Sequence, residues 1–299
     1  MNKDCNVPKK IELNNSNNKL HRAFSLIELS IVILIIGIIA AGITQSSRLV
    51  QQFRLATAKS LTKGSPIPSI KGLSVWFETT TDESFVEADA SNGSSLTAWF
   101  DINPQSVIKA SVTSTGFGTT VPTYKLPCIN NLPCVNMTGG ANNTITASNN
   151  VLPASSAGPT MVDIFSIIVV MQKAGSSTGS VIYTNSGTTG SGSIGFNMAS
   201  ATSVALTKAG TAQTAVVVTD LTTTSILEFA INNGAATLYQ NGVSLGSAGA
   251  SLGSGLSPSG VFGGGFSGHL AEIIMVNRIL NSEERQDVVN YLKKKWAIK

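Results

Sequence analysis

The sequence predicts a mainly β chain behind a long N-terminal membrane helix. Its head is expected to be a two-sheet antiparallel sandwich, closed by a short C-terminal helix. Three observations point there. One apolar run near the N-terminus is almost unbroken. About 230 residues after it are rich in Gly, Ser, Thr and Asn, with short β-type runs between turn signals. The last stretch carries apolar residues at helical spacing.

Phe24 to Ile43 has about the length a helix needs to cross a bilayer. Glu28 is its single charge, and a carboxylate placed in such a segment costs about 2.5–3.5 kcal/mol on insertion scales. A plain anchor has no use for it; a segment that assembles inside the membrane does. From Thr44 to Lys63 the chain stays helix-compatible, with Leu49, Phe53 and Ala56 at helical spacing and Leu55 and Ala58 broadening the stripe. The whole helix would run about 58 Å and end at Gly64-Ser65-Pro66-Ile67-Pro68, a stiff helix-breaking stretch. Arg48, Arg54, Lys59 and Lys63 are read as its solvated face.

Arg22-Ala23-Phe24-Ser25-Leu26-Ile27-Glu28-Leu29 resembles the processing motif of type IV prepilins and of the pseudopilins of type II secretion systems. The resemblance implies a prepilin peptidase that cuts between Ala23 and Phe24, followed by N-methylation of Phe24. It also implies that Glu28, then fifth in the mature chain, neutralises the terminal ammonium of a neighbouring subunit as helices bundle. Opposite charges in low dielectric attract far more strongly than in water, and unpaired they are costly. One departure stands out: the residue before the cut is usually Gly and here is Ala23. An uncleaved signal anchor is the plainer alternative. A conventional signal peptide would want a shorter apolar core with a small-residue site after it. Basic residues flank the apolar run on both sides, so charge alone leaves the orientation open. The resemblance implies a periplasmic head and a single pass of the inner membrane.

The expected organisation is a leader (1–23), an assembly helix (24–63), a linker (64–71) and a sandwich (72–299). The net charge of +4 and pI near 9.0 belong to the first two segments. Residues 64–299 hold 11 Lys or Arg against 13 Asp or Glu, a net of −2, with no basic stripe and interleaved aromatics, so nucleic-acid binding is not expected. Phe165–Met171, apolar on both faces, suits a central strand covered on both sides. Ile226–Ile231, Ala236–Gln240 and Val243–Leu245, joined by Asn232-Asn233-Gly234 and Asn241-Gly242, read as consecutive hairpins.

Several runs together resemble the laminin-G-like, concanavalin-A-like jelly-roll domains of bacterial surface proteins. They are Gly72-Leu73-Ser74-Val75-Trp76, Leu96-Thr97-Ala98-Trp99-Phe100-Asp101, 131–139, Leu238-Tyr239-Gln240-Asn241-Gly242-Val243 and 268–280. At the C-terminus Asn281 or Ser282 can cap a helix with Glu284 in a capping-box arrangement. Val288, Leu292 and Trp296 share its inner face, and Lys293, Lys294 and Lys295 are read as complementing its dipole.

Cys5 would leave with the leader. Cys128 and Cys134 remain, an even pair around a turn-forming Asn-Asn, suited to a disulfide in an oxidising compartment; two free thiols are the alternative. Catalysis is weakly signalled and no enzyme is expected. His269 is the one histidine outside the leader and reads as structural, and two Cys with one His fall short of the usual zinc ligand set. Glu87-Ala88-Asp89 begins a glucanase-like Glu-x-Asp-x-Glu run, but Ser91 stands where its second Glu is required. Asp82, Glu83, Glu87 and Asp89 read as a solvated loop. They or Asp101 could offer oxygens to Ca²⁺, yet no EF-hand-like loop exists, and neither a cofactor nor a metal is expected. Trp76 and Trp99 look like core residues. The expected protein is a minor pilin displaying a lectin-like head on a fimbria for adhesion to a glycan or surface protein. Its partners would be the peptidase, other pilin subunits and the inner membrane. A pseudopilin of a secretion or DNA-uptake system, and a membrane-anchored glycoside-active enzyme, are the alternatives.

Overall fold

The computed structural model describes residues 25–113, 121–137, 145–146, 164–174, 179–184, 194–208, 211–232, 235–249, 260–262 and 266–299. Ala23 and Phe24, the rest of the leader and the turn residues Asn233 and Gly234 lie outside them. Contacts divide the chain into two compact units, Met1–Leu49 and Val50–Lys299. Helix α1 (Leu26–Lys63) contributes to both. In the first unit the side chains from Leu26 to Ile43 are all exposed, and the helix is long and apolar enough to cross a membrane. An isolated helix that is apolar all round has no other means of burying itself in water.

In the second unit the described residues form two main antiparallel sheets. The larger has eight strands, in the order β14 (Val243–Gly249), β13 (Ala235–Gln240), β12 (Ser225–Asn232), β7 (Ile164–Lys173), β16 (Gly268–Val276), β5 (Cys134–Met137) and β4 (Thr123–Lys125), with β1 (Leu73–Glu78) pairing the far half of β16. The smaller has six: β11 (Thr211–Val217), β10 (Ser203–Lys208), β9 (Ile194–Ser200), β8 (Gly179–Thr184), β15 (Gly260–Phe262) and β6 (Ile145–Thr146). A two-stranded ribbon of β2 (Ala98–Phe100) and β3 (Ser111–Thr113) lies apart. The expected hairpins are present: β12 pairs β13 and β13 pairs β14, the latter turn using Asn241 and Gly242 at φ 53° and 87°. Two successive positive φ values are what a type I′ turn demands, and Asn-Gly tolerates them.

One face of the large sheet meets the small one in a core that includes Phe77, Ile167, Phe229 and Met275 with Met198 and Val204. Its other face holds a second core, where Trp76, Ile168, Ile226 and Ile274 pack under Val288, Leu292 and Trp296 of helix α2 (Ser282–Trp296) and Ala58 of α1. Covering both faces explains why β7 is buried along nearly all its length. The capping box of α2 is formed: the Asn281 side chain accepts from the Glu284 amide while Glu284 accepts from the Asn281 amide.

Three sequence expectations are revised. The Pro-containing stretch 64–71 is no free spacer: a 3-10 turn over Ile67–Ser69 brings Ile67 and Ile70 into the second core. Proline stops the helix, and the two isoleucines fold back because they have apolar surface to hide. Asp89 leaves the solvated acidic loop and is buried, its carboxylate accepting from the Thr97 amide and hydroxyl. Lys295 does not sit in solvent at the helix terminus but points into the core.

Candidate functional site

At the start of α1, Glu28 lies in the first turn and its Oε2 accepts the Ser25 amide at 2.9 Å. That bond satisfies one of the donors a helix N-terminus leaves over. The carboxylate is exposed, and among the described residues no ion pair reaches it. It is the single charge on the exposed, mostly apolar stretch of helix from Leu26 to Ile43.

In the head the densest polar cluster is sealed. Lys295 Nζ stands 2.8 Å from Glu78 Oε2 and 3.1 Å from Glu272 Oε2, with none of the three side chains exposed. Glu272 further accepts from Trp76 Nε1, Trp296 Nε1 and the Tyr291 hydroxyl, and Glu78 from the Thr80 amide and hydroxyl, the Thr81 amide and the Ser84 hydroxyl. A β-bulge makes this possible. The pairing of β16 with β7 shifts between Leu270 and Glu272, so Glu272 follows Ala271 onto the helix side while Leu270 and Ile273 face the other core. Burial alone would raise the Glu78 carboxyl, but the Lys295 ammonium and the hydrogen bonds from Thr81 and Thr80 hold it down at about 2. Burial disfavours the charged form of Lys295, yet Glu272 and Glu78 outweigh it and raise its pKa. Solvent does not reach these carboxylates, and their bonds tie α2 to β1 and β16.

The remaining residues singled out from sequence fall in separate places. Asp101 is buried; its Oδ1 accepts the Trp76 and Asn103 amides at 2.8 Å each, and burial raises its pKa. Asp82 pairs with Lys59 at the surface. Trp76 and Trp99 are core residues as expected. Cys128 and Cys134 are joined by a disulfide, Cα–Cα 5.8 Å, around a turn with Asn130 and Asn131 at positive φ. Among the described residues they form, with His269, the one group of three or more His, Cys, Asp or Glu whose donor atoms all lie within 4.8 Å of one another. His269 is half-buried: its Nε2 is 3.2 Å from Lys125 Nζ and its Nδ1 has no hydrogen-bond partner. Burial and then the Lys125 charge push its pKa down. A cavity of about 480 Å³ is lined by Leu55, Thr81, Asp82, Glu87, Tyr124 and Leu126 among others. The Tyr124 phenol there is pushed up to about 12 by burial and by the charges of Glu78 and Asp82, so it stays a hydrogen-bond donor at neutral pH.

Residues 18–44 match the prokaryotic N-terminal methylation motif. The match is confined to this N-terminal segment, the one whose residues resemble a prepilin processing motif. No curated protein matches the chain. For the fold, Trypanosoma rangeli sialidase in complex with 2,3-difluorosialic acid is similar at 13% identity with TM-score 0.50, over 82% of this chain and 39% of its own. The binding domain of Paraclostridial Mosquitocidal Protein 1 is similar at 12% identity with TM-score 0.50, over 73% of this chain and 52% of its own. This chain thus spans between about two fifths and half of those chains. At such identities the likeness establishes the β-sandwich and nothing more. Residues 18–44 are thus the part of the chain with a family match, and Glu28 lies inside it. The Glu78–Lys295–Glu272 cluster escaped the sequence reading. Its traces were a single acid in each of two apolar strands, Leu73–Glu78 and Gly268–Val276, and a lysine four residues after Tyr291.

Proposed function

We propose that this protein is a pilin-like subunit whose β-sandwich head is carried on a helix that assembles in the membrane. The observation that carries the reading is the match of 18–44 to the methylation motif on a helix with one exposed, unpaired carboxylate near its start. A prepilin peptidase cuts between Ala23 and Phe24 and the new amino group of Phe24 is methylated. The cationic terminus of one subunit then meets Glu28 of the next, removing two charges from an apolar bundle at once. The head sits on the periplasmic side before assembly and on the filament afterwards, where it acts by binding rather than by catalysis. Support for a binding head comes from the sandwich, a fold shared with a domain named for binding and with a sialidase holding a sialic acid analogue. The cavity beside Tyr124 adds carboxylate acceptors and a phenol donor, which suit a hydroxyl-rich ligand such as a glycan. The burial of Glu78 and Glu272 speaks against using them for glycoside chemistry.

The test is intact-mass and N-terminal analysis of the protein from cells with and without the peptidase, combined with Glu28→Val. Expected are a mature chain starting at N-methylated Phe24 and loss of polymer in the variant. An uncut chain beginning at Met1 with the peptidase active, or normal polymerisation of Glu28→Val, overturns the reading. Polymer confined to the periplasm would identify the secretion pseudopilus instead of a surface fibre.

A further inference from the structure

The Cys128–Cys134 disulfide has an unusual neighbour for a structural crosslink. Cys134 opens β5, and β5 pairs with β16 so that Asn136 stands opposite His269. The imidazole and the Cys134 sulfur are thus held on adjacent strands by backbone register. Cys128 is placed by its own turn, whose ends are tied by Cys128 N donating to Leu132 O at 3.0 Å and Asn131 N donating to Cys128 O at 3.3 Å. All three donor atoms lie within 4.8 Å of one another, and Cys128 and His269 are only half-buried. The imidazole Nδ1 is buried and makes no close hydrogen bond. A tetrahedral zinc ion with bonds of about 2.0–2.3 Å sets its ligand atoms roughly 3.5–3.8 Å apart. The two sulfurs and an imidazole nitrogen start within 4.8 Å of one another, at most about 1 Å beyond that spacing.

We propose that the reduced head binds one Zn²⁺ through Cys128, Cys134 and His269, so that this edge of the large sheet exchanges a disulfide for a metal according to redox state. A dithiol reductant gives two electrons and two protons to the disulfide: the S–S bond breaks, two thiols form and the reductant becomes a disulfide. Zn²⁺ displaces both thiol protons to solvent, forms two Zn–S bonds and takes the lone pair of His269 Nδ1. Water completes the tetrahedron, as in zinc sites with three protein ligands. Zinc on Nδ1 gives the orphaned atom its partner and moves the ring proton to Nε2, and Lys125, itself half-buried, turns outward. Metal and disulfide are mutually exclusive because both use the same sulfurs.

The experiment uses the full chain in detergent on a Cys5→Ser, His21→Ala background, which removes the other thiol and imidazole in the sequence. The protein is treated with a dithiol, freed of it, equilibrated with Zn²⁺, desalted and measured for metal content. The same samples are loaded with Co²⁺ for spectroscopy. Expected is one Zn²⁺ per reduced chain and none per oxidised chain, with thiolate-to-cobalt charge-transfer bands in the near ultraviolet. His269→Ala should weaken Zn²⁺ by about 100-fold or more, beyond what an outer-shell partner costs, and shift the cobalt d–d bands. Equal metal content in reduced and oxidised protein overturns the proposal, as does a His269→Ala spectrum and affinity identical to the parent. A Cys128→Ser, Cys134→Ser double variant should bind no Zn²⁺ with or without the dithiol, and binding equal to the reduced parent overturns the proposal; if it fails to fold, the histidine variant, which keeps the disulfide for folding, still decides.

Discussion

A lysine with no exposed side-chain atom is tolerable only if its charge is matched where it lies. Lys295 is matched twice over, by Glu78 and Glu272, and the surplus negative charge is spread over indole, phenol, hydroxyl and amide donors. Such a group is worth little against an apolar replacement of the whole set but a great deal once half of it is removed. Lys295→Met is therefore expected to destabilise the head by about 3–5 kcal/mol, read from urea unfolding; a loss under 1 kcal/mol would mean that the carboxylates find other partners. The same cluster sets an acid limit. Glu78 is depressed from 4.5 to about 2, so its contribution is complete above about pH 4.5 and disappears as pH falls through 2. Stability of the wild type should drop across that window, and Glu78→Gln should be weaker at pH 6 but flatter below pH 4.5. Parallel curves for the two proteins would contradict the assignment. None of this was legible from sequence, because Glu78 meets Glu272 only through the pairing of β1 with β16, and meets Lys295 of α2 only across 217 positions. Local reasoning saw three consecutive lysines at a helix end and gave all of them to the dipole.

At the level of elements, legibility followed how local the determining signal was. The β12–β13–β14 meander could be read because Asn241-Gly242 specifies its turn within two residues, and β7 because an apolar run on both faces needs cover on both faces. Helix α2 could be read from its capping box and its Val288, Leu292, Trp296 stripe. The bulge in β16 could not: alternation would have placed Glu272 with Leu270 against the small sheet, and only the register shift moves it to the helix side. The cap has a partner beyond the helix, since Glu284 also holds Arg278 at 2.5 Å. Asn281→Ala is expected to cost about 1 kcal/mol, with a matching loss of hydrogen-exchange protection confined to the first turn of α2. Global loss of protection would show that the cap fixes more than its own helix. The hairpin offers a second check. Gly242 has φ +87° and a Cβ there would meet Val289 Cγ1 at 3.2 Å, so Gly242→Ala combines backbone strain with crowding of α2 and should cost about 1–3 kcal/mol in thermal unfolding. A change within about 0.5 kcal/mol, the range of an ordinary surface substitution, would show that this turn absorbs the extra group.

For the molecule as a whole, the membrane segment was the most readable part and the boundary of the head the least. Length, apolar run and the lone Glu28 state the first in consecutive residues. The boundary depends on which side chains the second core accepts. Sequence placed it at residue 72, after a proline-broken linker, whereas the compact unit begins at Val50. The difference is physical: Ala58, Ile67 and Ile70 fill space under α2 and over the large sheet, Thr62 Oγ1 lies 3.4 Å from the Tyr291 hydroxyl, and Arg54 donates to the Asn130 side chain at 3.1 Å. Burying one large aliphatic side chain contributes about 1.5–3 kcal/mol, so removing Ile67 and Ile70 together withdraws a large share of the 5–15 kcal/mol that keeps a domain folded. A fragment of residues 50–299 should therefore melt about 10 °C or more above one of residues 72–299, and the shorter fragment should expose Trp296 to quenchers that the longer one excludes. Equal melting points with equally shielded tryptophan would show that the sandwich stands without the end of α1, and the head would then begin where the sequence alone had put it.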